Sequence, residues 1–275
     1  NFILRNGGND WNKTFFRDEF MQSLFDNSQL DIQYRRPAIV FVDGEYWGIH
    51  TITQHLDEYY LANKYHLSTD SVAILEMDGN LQYGKKRDVN DFKDLLAYVE
   101  SHDLRKNEYY NEVLKQIDIQ SFMDVIIANV YFCNSDWPNN NVKFWHYKSG
   151  NNKDGMGVRD GKWRWFLYDT DWGFGYTGSE SVTMDLLEKA TQTGSIGKLF
   201  KALLKNKSFC KEFEKRFEFH LNTTFNSEII DQKINSIEAT YAPLMQEQMN
   251  RWRALESMIE WKNEVNALRQ FQSQR

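Results

Sequence analysis

Apolar residues recur along this chain with two periods, one near two and one near 3.6. Residues 2–4, 36–42 and 46–53 form alternating or continuous runs rich in Ile, Val and aromatic side chains, and this predicts strands. The last two runs meet at Asp43-Gly44, a dipeptide that favours a type I′ turn, so a hairpin is expected there. Helical spacing then predicts helices over 56–65, 89–102 and 107–117, with a short strand at 72–76 between the first two. Asp118 is placed to cap a further helix whose apolar positions Ile119, Phe122, Ile126, Ile127 and Val130 share one face. Two strand-like runs follow, 142–147 and 162–168, separated by a polar, Gly-bearing stretch at 148–161 that suits the long tip of a hairpin. Beyond Gly175 the pattern is helical, and Trp252, Leu255, Met258, Ile259, Val265, Leu268 and Phe271 mark one long final helix.

No Pro/Gly/Ser-rich linker and no internal repeat divides the sequence, so one domain over 1–275 is expected. Its fold class is α+β, with a mixed part at 1–175 and a helical part at 176–275. With 41% hydrophobic residues and only 3 Pro, the 275-residue chain has the apolar surface for a substantial core. A net charge of −6 argues against a binder of bulk nucleic acid. No apolar run approaches the roughly 20 residues that cross a bilayer. Cys133 and Cys210 are too few for a disulfide framework and are expected to be buried thiols. The chain starts inside a predicted strand without an initiator Met, and an upstream part is therefore expected.

Two polar segments interrupt the apolar pattern. In Asn134-Ser135-Asp136-Trp137-Pro138-Asn139-Asn140-Asn141 a carboxylate precedes an Asn by five positions, just before a strand. Protein-kinase catalytic loops use that spacing: the Asp accepts the hydroxyl proton, and the Asn holds a metal ion bound to the phosphates. Asp136 and Asn141 fit those roles, although Pro138 and the Asn run equally suit a rigid turn. In the second segment, Trp165-Phe166-Leu167-Tyr168-Asp169-Thr170-Asp171-Trp172-Gly173-Phe174-Gly175, an aromatic strand ends in two carboxylates and a Gly-rich turn. Hard oxygen ligands at a strand's end suit Mg²⁺, and a capped turn has the same composition. Asp169 follows the strand directly, whereas Asp171-Trp172-Gly173 imitates the Asp-Phe-Gly triplet, so both remain candidates. If the two strand-like runs pair, Asp136, Asn141 and Asp169 converge at one end of the hairpin.

Other chemistries lack support. The six His are unclustered, no Gly-x-Ser-x-Gly elbow occurs, and neither a Gly-x-Gly-x-x-Gly nor a Walker-type phosphate loop is present. Among nine Trp, Trp145, Trp163 and Trp165 fall in strand patterns and read as core, while Trp11, Trp137 and Trp172 lie in polar loops and are candidates for stacking on a ligand. The run Lys85-Lys86-Arg87-Asp88 reads as solvated loop.

Four segments together resemble the spore coat protein H family, the CotH-like atypical protein kinases: 2–8 with Arg17-Asp18, the hairpin 41–48, the loop 136–141, and 168–175. The closing stretch 252–271 also resembles the family's C-terminal end. The resemblance implies a remote protein-kinase-like fold that transfers the γ-phosphoryl group of ATP, with Mg²⁺, to Ser or Thr of a partner protein. It implies a bacterial spore-coat, cell-surface or secreted setting. By position Asp136 resembles the catalytic Asp, and Asn141 with Asp169 or Asp171 the residues that hold metal and nucleotide. Two departures stand out. Where the family carries a Glu after its hairpin, this chain has Gln54-His55-Leu56-Asp57, leaving Asp57 or Glu58 as substitutes. The family's phosphate-holding Lys would lie upstream of Asn1, and Arg5 is an additional candidate for a phosphate or structural contact. The rival expectation is a kinase-like surface module that has lost catalysis and grips carbohydrate or protein through loop aromatics.

Overall fold

In the computed structural model, which describes residues 1–148 and 157–275, two small antiparallel sheets occupy the first two thirds of the chain and helices the remainder. The first sheet has the order β1-β3-β2, from Phe2–Arg5 (β1), Arg35–Val42 (β2) and Glu45–Gln54 (β3). Its hairpin turns where expected: Asp43 and Gly44 both have positive φ, 51° and 84°, the backbone that a type I′ turn demands. The second sheet has the order β5-β4-β6-β7, from Val72–Glu76 (β4), Asn80–Tyr83 (β5), Lys143–Tyr147 (β6) and Arg164–Trp165 (β7).

Helix α1 (Arg17–Ser23) lies between β1 and β2, and α2 (Glu58–Tyr65) between the two sheets in sequence. Helices α3 (Lys86–Ser101), α4 (Asn107–Leu114) and α5 (Ile119–Phe132) separate β5 from β6. The rest is helical: α6 (Leu186–Ala190), α7 (Gly194–Leu203), α8 (Lys207–Asn222), α9 (Ser227–Trp252) and α10 (Met258–Gln274). The mixed α+β class and the helical C-terminal part thus agree with the sequence pattern.

Helix α5 is the central strut. Asp118 caps it, its Oδ1 accepting the Ser121 amide at 3.0 Å, and all residues from Phe122 to Phe132 are buried. Phe122 packs edge-on against Trp165, and Phe144 packs against Trp163 and Trp165, so α5 and the β6–β7 pair share one core. Trp145, Trp163 and Trp165 are accordingly buried, as the strand pattern implies.

Several expectations need correction. The run 162–168 is a strand only at Arg164–Trp165, because Phe166 leaves the ladder to bridge Asp31 and Leu167 donates to the Asp31 carbonyl at 2.8 Å. Residues 149–156 of the expected hairpin tip lie outside the described residues. The single closing helix is two: Arg253 turns left-handed (φ 52°), α9 ends at Trp252, and Ser257 caps α10 through the Glu260 amide. Ile259 therefore points to solvent, 73% exposed, while Leu255 is buried in the connection. The charged run 85–88 begins α3 rather than a loop, with Asp88 buried and accepting the Lys85 amide at 2.7 Å. Cys133 is buried, but Cys210 is only half-buried. Helix α1 and strand β5, too short to stand out by periodicity, were not anticipated.

Candidate functional site

The loop after α5 is shaped by its own backbone. Cys133 ends the helix in the left-handed conformation, Asn134 donates its side-chain amide to Asn129 Oδ1 at 2.8 Å, and its backbone N–H returns to the Asn129 carbonyl. This turns the chain sharply and presents Asp136 at the surface of the core. Asp136 accepts two neutral amide N–H groups, Asn140 Nδ2 on Oδ1 at 2.8 Å and Asn141 Nδ2 on Oδ2 at 3.0 Å. The same Asn141 amide donates to the backbone carbonyl of Asp169 at 3.2 Å. Asn141 and Asp169, both left-handed with φ of 60° and 51°, are thereby held to each other at one end of the β6–β7 pair. The expected convergence of Asp136, Asn141 and Asp169 is present.

The second segment is anchored by α1. Thr170 donates its backbone N–H and its hydroxyl to Asp18 Oδ1, each at 2.8 Å. Gly173 lies where a Cβ would meet Met21 Sδ at 3.0 Å and the Phe132 carbonyl at 3.1 Å, so the missing side chain lets the segment pass close to α1 and α5 without crowding them. Phe174 then inserts into the core, its N–H on Phe132 O at 2.6 Å and its carbonyl accepting Arg17 Nη1 at 2.6 Å.

Between these anchors, one guanidinium gathers the carboxylates. Arg5 Nη2 lies 2.5 Å from Asp169 Oδ1 and 3.1 Å from Asp171 Oδ2, and its Nη1 lies 3.8 Å from Asp18 Oδ2. Arg35 pairs with Asp18 from the far side. The Asn9 amide adds a 3.1 Å bond to Asp171 Oδ2. Gly8 sits at φ 63°, a backbone that favours glycine, and a Cβ there would push on Arg5 Nη2 at 2.5 Å and Asp171 Oδ2 at 2.7 Å.

Two arginines thus face three carboxylates, and the balance of charge shows in their acidities. Burial works against ionisation of Asp18, but Arg35 and then Arg5 outweigh it, and its pKa falls to about 2. Burial, followed by the Asp18 charge, raises Asp169. Burial, then Asp18 and Asp169, pushes Asp171 up to about 6. This surplus of negative charge, with carboxylate oxygens on Asp169 and Asp171 beside the Asn141 amide, fits the hard-oxygen preference of Mg²⁺ in donor chemistry. Among the described residues no group of three or more His, Cys, Asp or Glu is arranged as a metal cage; the Asp169 and Asp171 carboxylates are paired with Arg5.

Some candidates lie elsewhere in function. Asp57 caps α2 through the Tyr60 amide at 2.9 Å and bonds Asn1 and His55, so it is spent on local structure; Glu58 starts that helix. Trp137 is buried (1% exposed) and Trp172 packs on Tyr176, leaving Trp11 as the loop indole open to a cavity. Sequence reasoning underweighted Arg5, singled out Asp18 only within the Arg17-Asp18 pair of the family resemblance, and missed Arg35 and Lys189. Lys189 on α6 donates to the Ser135 carbonyl at 2.6 Å; burial lowers its pKa and the nearby Asp136 charge raises it. No spacing rule links position 5 or 189 to the two loops, so the signals the chain offered were segment 2–8 and the Arg17-Asp18 pair.

No curated protein matches the chain. The family description "CotH kinase protein", in contrast, matches residues 1–275, its entire length, and the chain belongs to the CotH kinase protein family.

Proposed function

We propose that this protein transfers the γ-phosphoryl group of ATP to a Ser or Thr hydroxyl of a partner protein, on a kinase-like arrangement of its two loops. Family membership supports kinase activity. The observation that supports the finer reading is the single Asn141 amide that bonds both the Asp136 carboxylate and the Asp169 backbone carbonyl, bringing the candidate base beside the segment that bears the candidate phosphate-side carboxylate.

In this reading the acceptor hydroxyl binds at Asp136, whose carboxylate is oriented by Asn140 and Asn141. As the hydroxyl oxygen forms its bond to the γ-phosphorus, its proton passes to Asp136 and the bond to the bridging oxygen breaks, releasing ADP. Arg5 is the fixed cation that faces the phosphates from the β1 side. Asn141, Asp169 and Asp171 are the residues that would hold Mg²⁺, which when bound would neutralise the phosphate charge. Because the transition state is stabilised mainly by position and charge, Asp136 orients the nucleophile while Arg5 and Asp169 set the field.

Phosphate transfer from Mg²⁺-ATP to acceptor proteins is the test. Asp136→Asn and Asp169→Asn are each expected to reduce the rate by about 10²-fold or more with the fold intact. Full activity in both variants rejects the assignment. One observation favours a module without catalysis: Asp57, the nearest replacement for the family's Glu, is consumed in capping α2. For that reading, no transfer and no Mg²⁺-ATP binding would be found.

A further inference from the structure

A cavity of about 400 Å³ lies on the far side of Gly8 from the Arg5–Asp171 pair, where β3, the turn after β1 and the end of α9 meet. Three indoles line it, Trp11, Trp47 and Trp252, respectively 37%, 39% and 37% exposed, together with Asn6, His50 and Gln248. We infer that this cavity is a binding site for a neutral sugar ring, a pyranose presented free or as part of a glycan.

The wall is built before any ligand arrives. Trp252 Nε1 donates to the Trp47 carbonyl at 2.7 Å, the two rings stand edge to face at 5.2 Å, and Gln248 Oε1 accepts the Ile49 amide at 2.8 Å. At Gly48 a Cβ would meet Gln248 Oε1 at 2.6 Å and Trp252 Nε1 at 2.7 Å, so strand and helix approach here only because the position has no side chain. Preformed walls spare the ligand the cost of ordering them.

The chemistry of the lining selects the ligand class. The Trp11 indole, over which no cation lies among the described residues, offers a flat face to the C–H side of a pyranose, and the Asn6 and Gln248 side-chain amides offer neutral partners to its hydroxyls. Among the described residues no Asp, Glu, Lys or Arg lines the cavity. A polyanion is disfavoured by the carboxylate surplus of Asp18, Asp169 and Asp171 behind Gly8. A cationic ligand is disfavoured because the Arg251 guanidinium already lies over Trp47 at 5.3 Å and over Trp252 at 5.1 Å. The inference does not depend on phosphoryl transfer.

Saturation-transfer NMR and calorimetry on the full chain, with methyl glucopyranoside, methyl galactopyranoside, methyl mannopyranoside and N-acetylglucosamine, test it. Saturable binding of at least one sugar is expected, weakened about tenfold or more in Trp11→Ala and in Gln248→Ala. Trp11 makes no side-chain hydrogen bond among the described residues, and its variant is checked by thermal melting; Asn6→Ala serves if that variant melts early. Three results overturn the inference: no saturable binding by any of the four, binding that is unchanged in all the variants, or a cavity taken instead by adenosine or a proline-rich peptide with loss in Trp11→Ala.

Discussion

Asp171 is held ionised or protonated by a close contest. Its side chain is 1% exposed, and it shares Arg5 with Asp169. Folding raises its pKa from 3.8 to about 6, so the folded chain binds this proton more tightly than the unfolded chain. The stability it contributes is full below pH 3.8 and is lost as pH rises through about 6. Asp18 has the opposite sign: its depressed pKa stabilises the fold above 3.8, and that stability is lost as pH falls through about 2. In chelator-treated, metal-free buffer, Asp171→Asn is therefore expected to be more stable than the parent at pH 8, by on the order of 2 kcal/mol. At pH 3.5 the difference should disappear. Denaturant titrations at the two pH values check this, and equal stability at pH 8 refutes the account of crowded carboxylates.

Helices α9 and α10 show how one backbone position divides an apparently continuous stripe. The Arg253 N–H returns to the Met249 carbonyl at 2.8 Å while its φ is 52°, a left-handed cap occupied by a residue with a Cβ. The left-handed conformation costs an L residue roughly 1–2 kcal/mol, part of which a glycine recovers against its greater unfolded-state entropy. Arg253→Gly is expected to raise the unfolding free energy by about 0.5 kcal/mol, and Arg253→Ile to lower it by about 1 kcal/mol. Urea melts of the two variants distinguish this from a straight helix, in which Gly would be the worse residue.

The closing helix reaches back to the site across the fold. Trp261 donates to the Thr14 carbonyl at 3.0 Å, and Phe271 packs on Phe174 at 4.6 Å and lies under Gly175. The segment bearing Asp169 and Asp171 is thus clamped between α1, α5 and α10. Phe271→Ala would leave a cavity beneath Phe174, and a loss of about 3–5 kcal/mol is expected. Hydrogen exchange should rise first at the Phe174 amide, which bonds the Phe132 carbonyl. Protection unchanged at Phe174, with the loss confined to α10, would show that the helix does not support the site.

Local chemistry was legible in the chain itself. The Asp43-Gly44 turn and the Asp118 cap depend on neighbours a few residues away, and both stand as read, whereas α5, read as buried on one face, is buried all round from Phe122 to Phe132. Position along a short strand was less so: residues 166–168 look like β7, yet Asp31 captures the backbone first. What tertiary structure alone decided is which charges meet. Arg5 finds Asp169 and Asp171 across more than 160 positions, Asp18 holds Thr170, and Asp57 is diverted to a helix cap. Charge pairing between distant segments carries no period and no fixed spacing, because it is set by the packing of α1, β1 and α5 rather than by any run of residues.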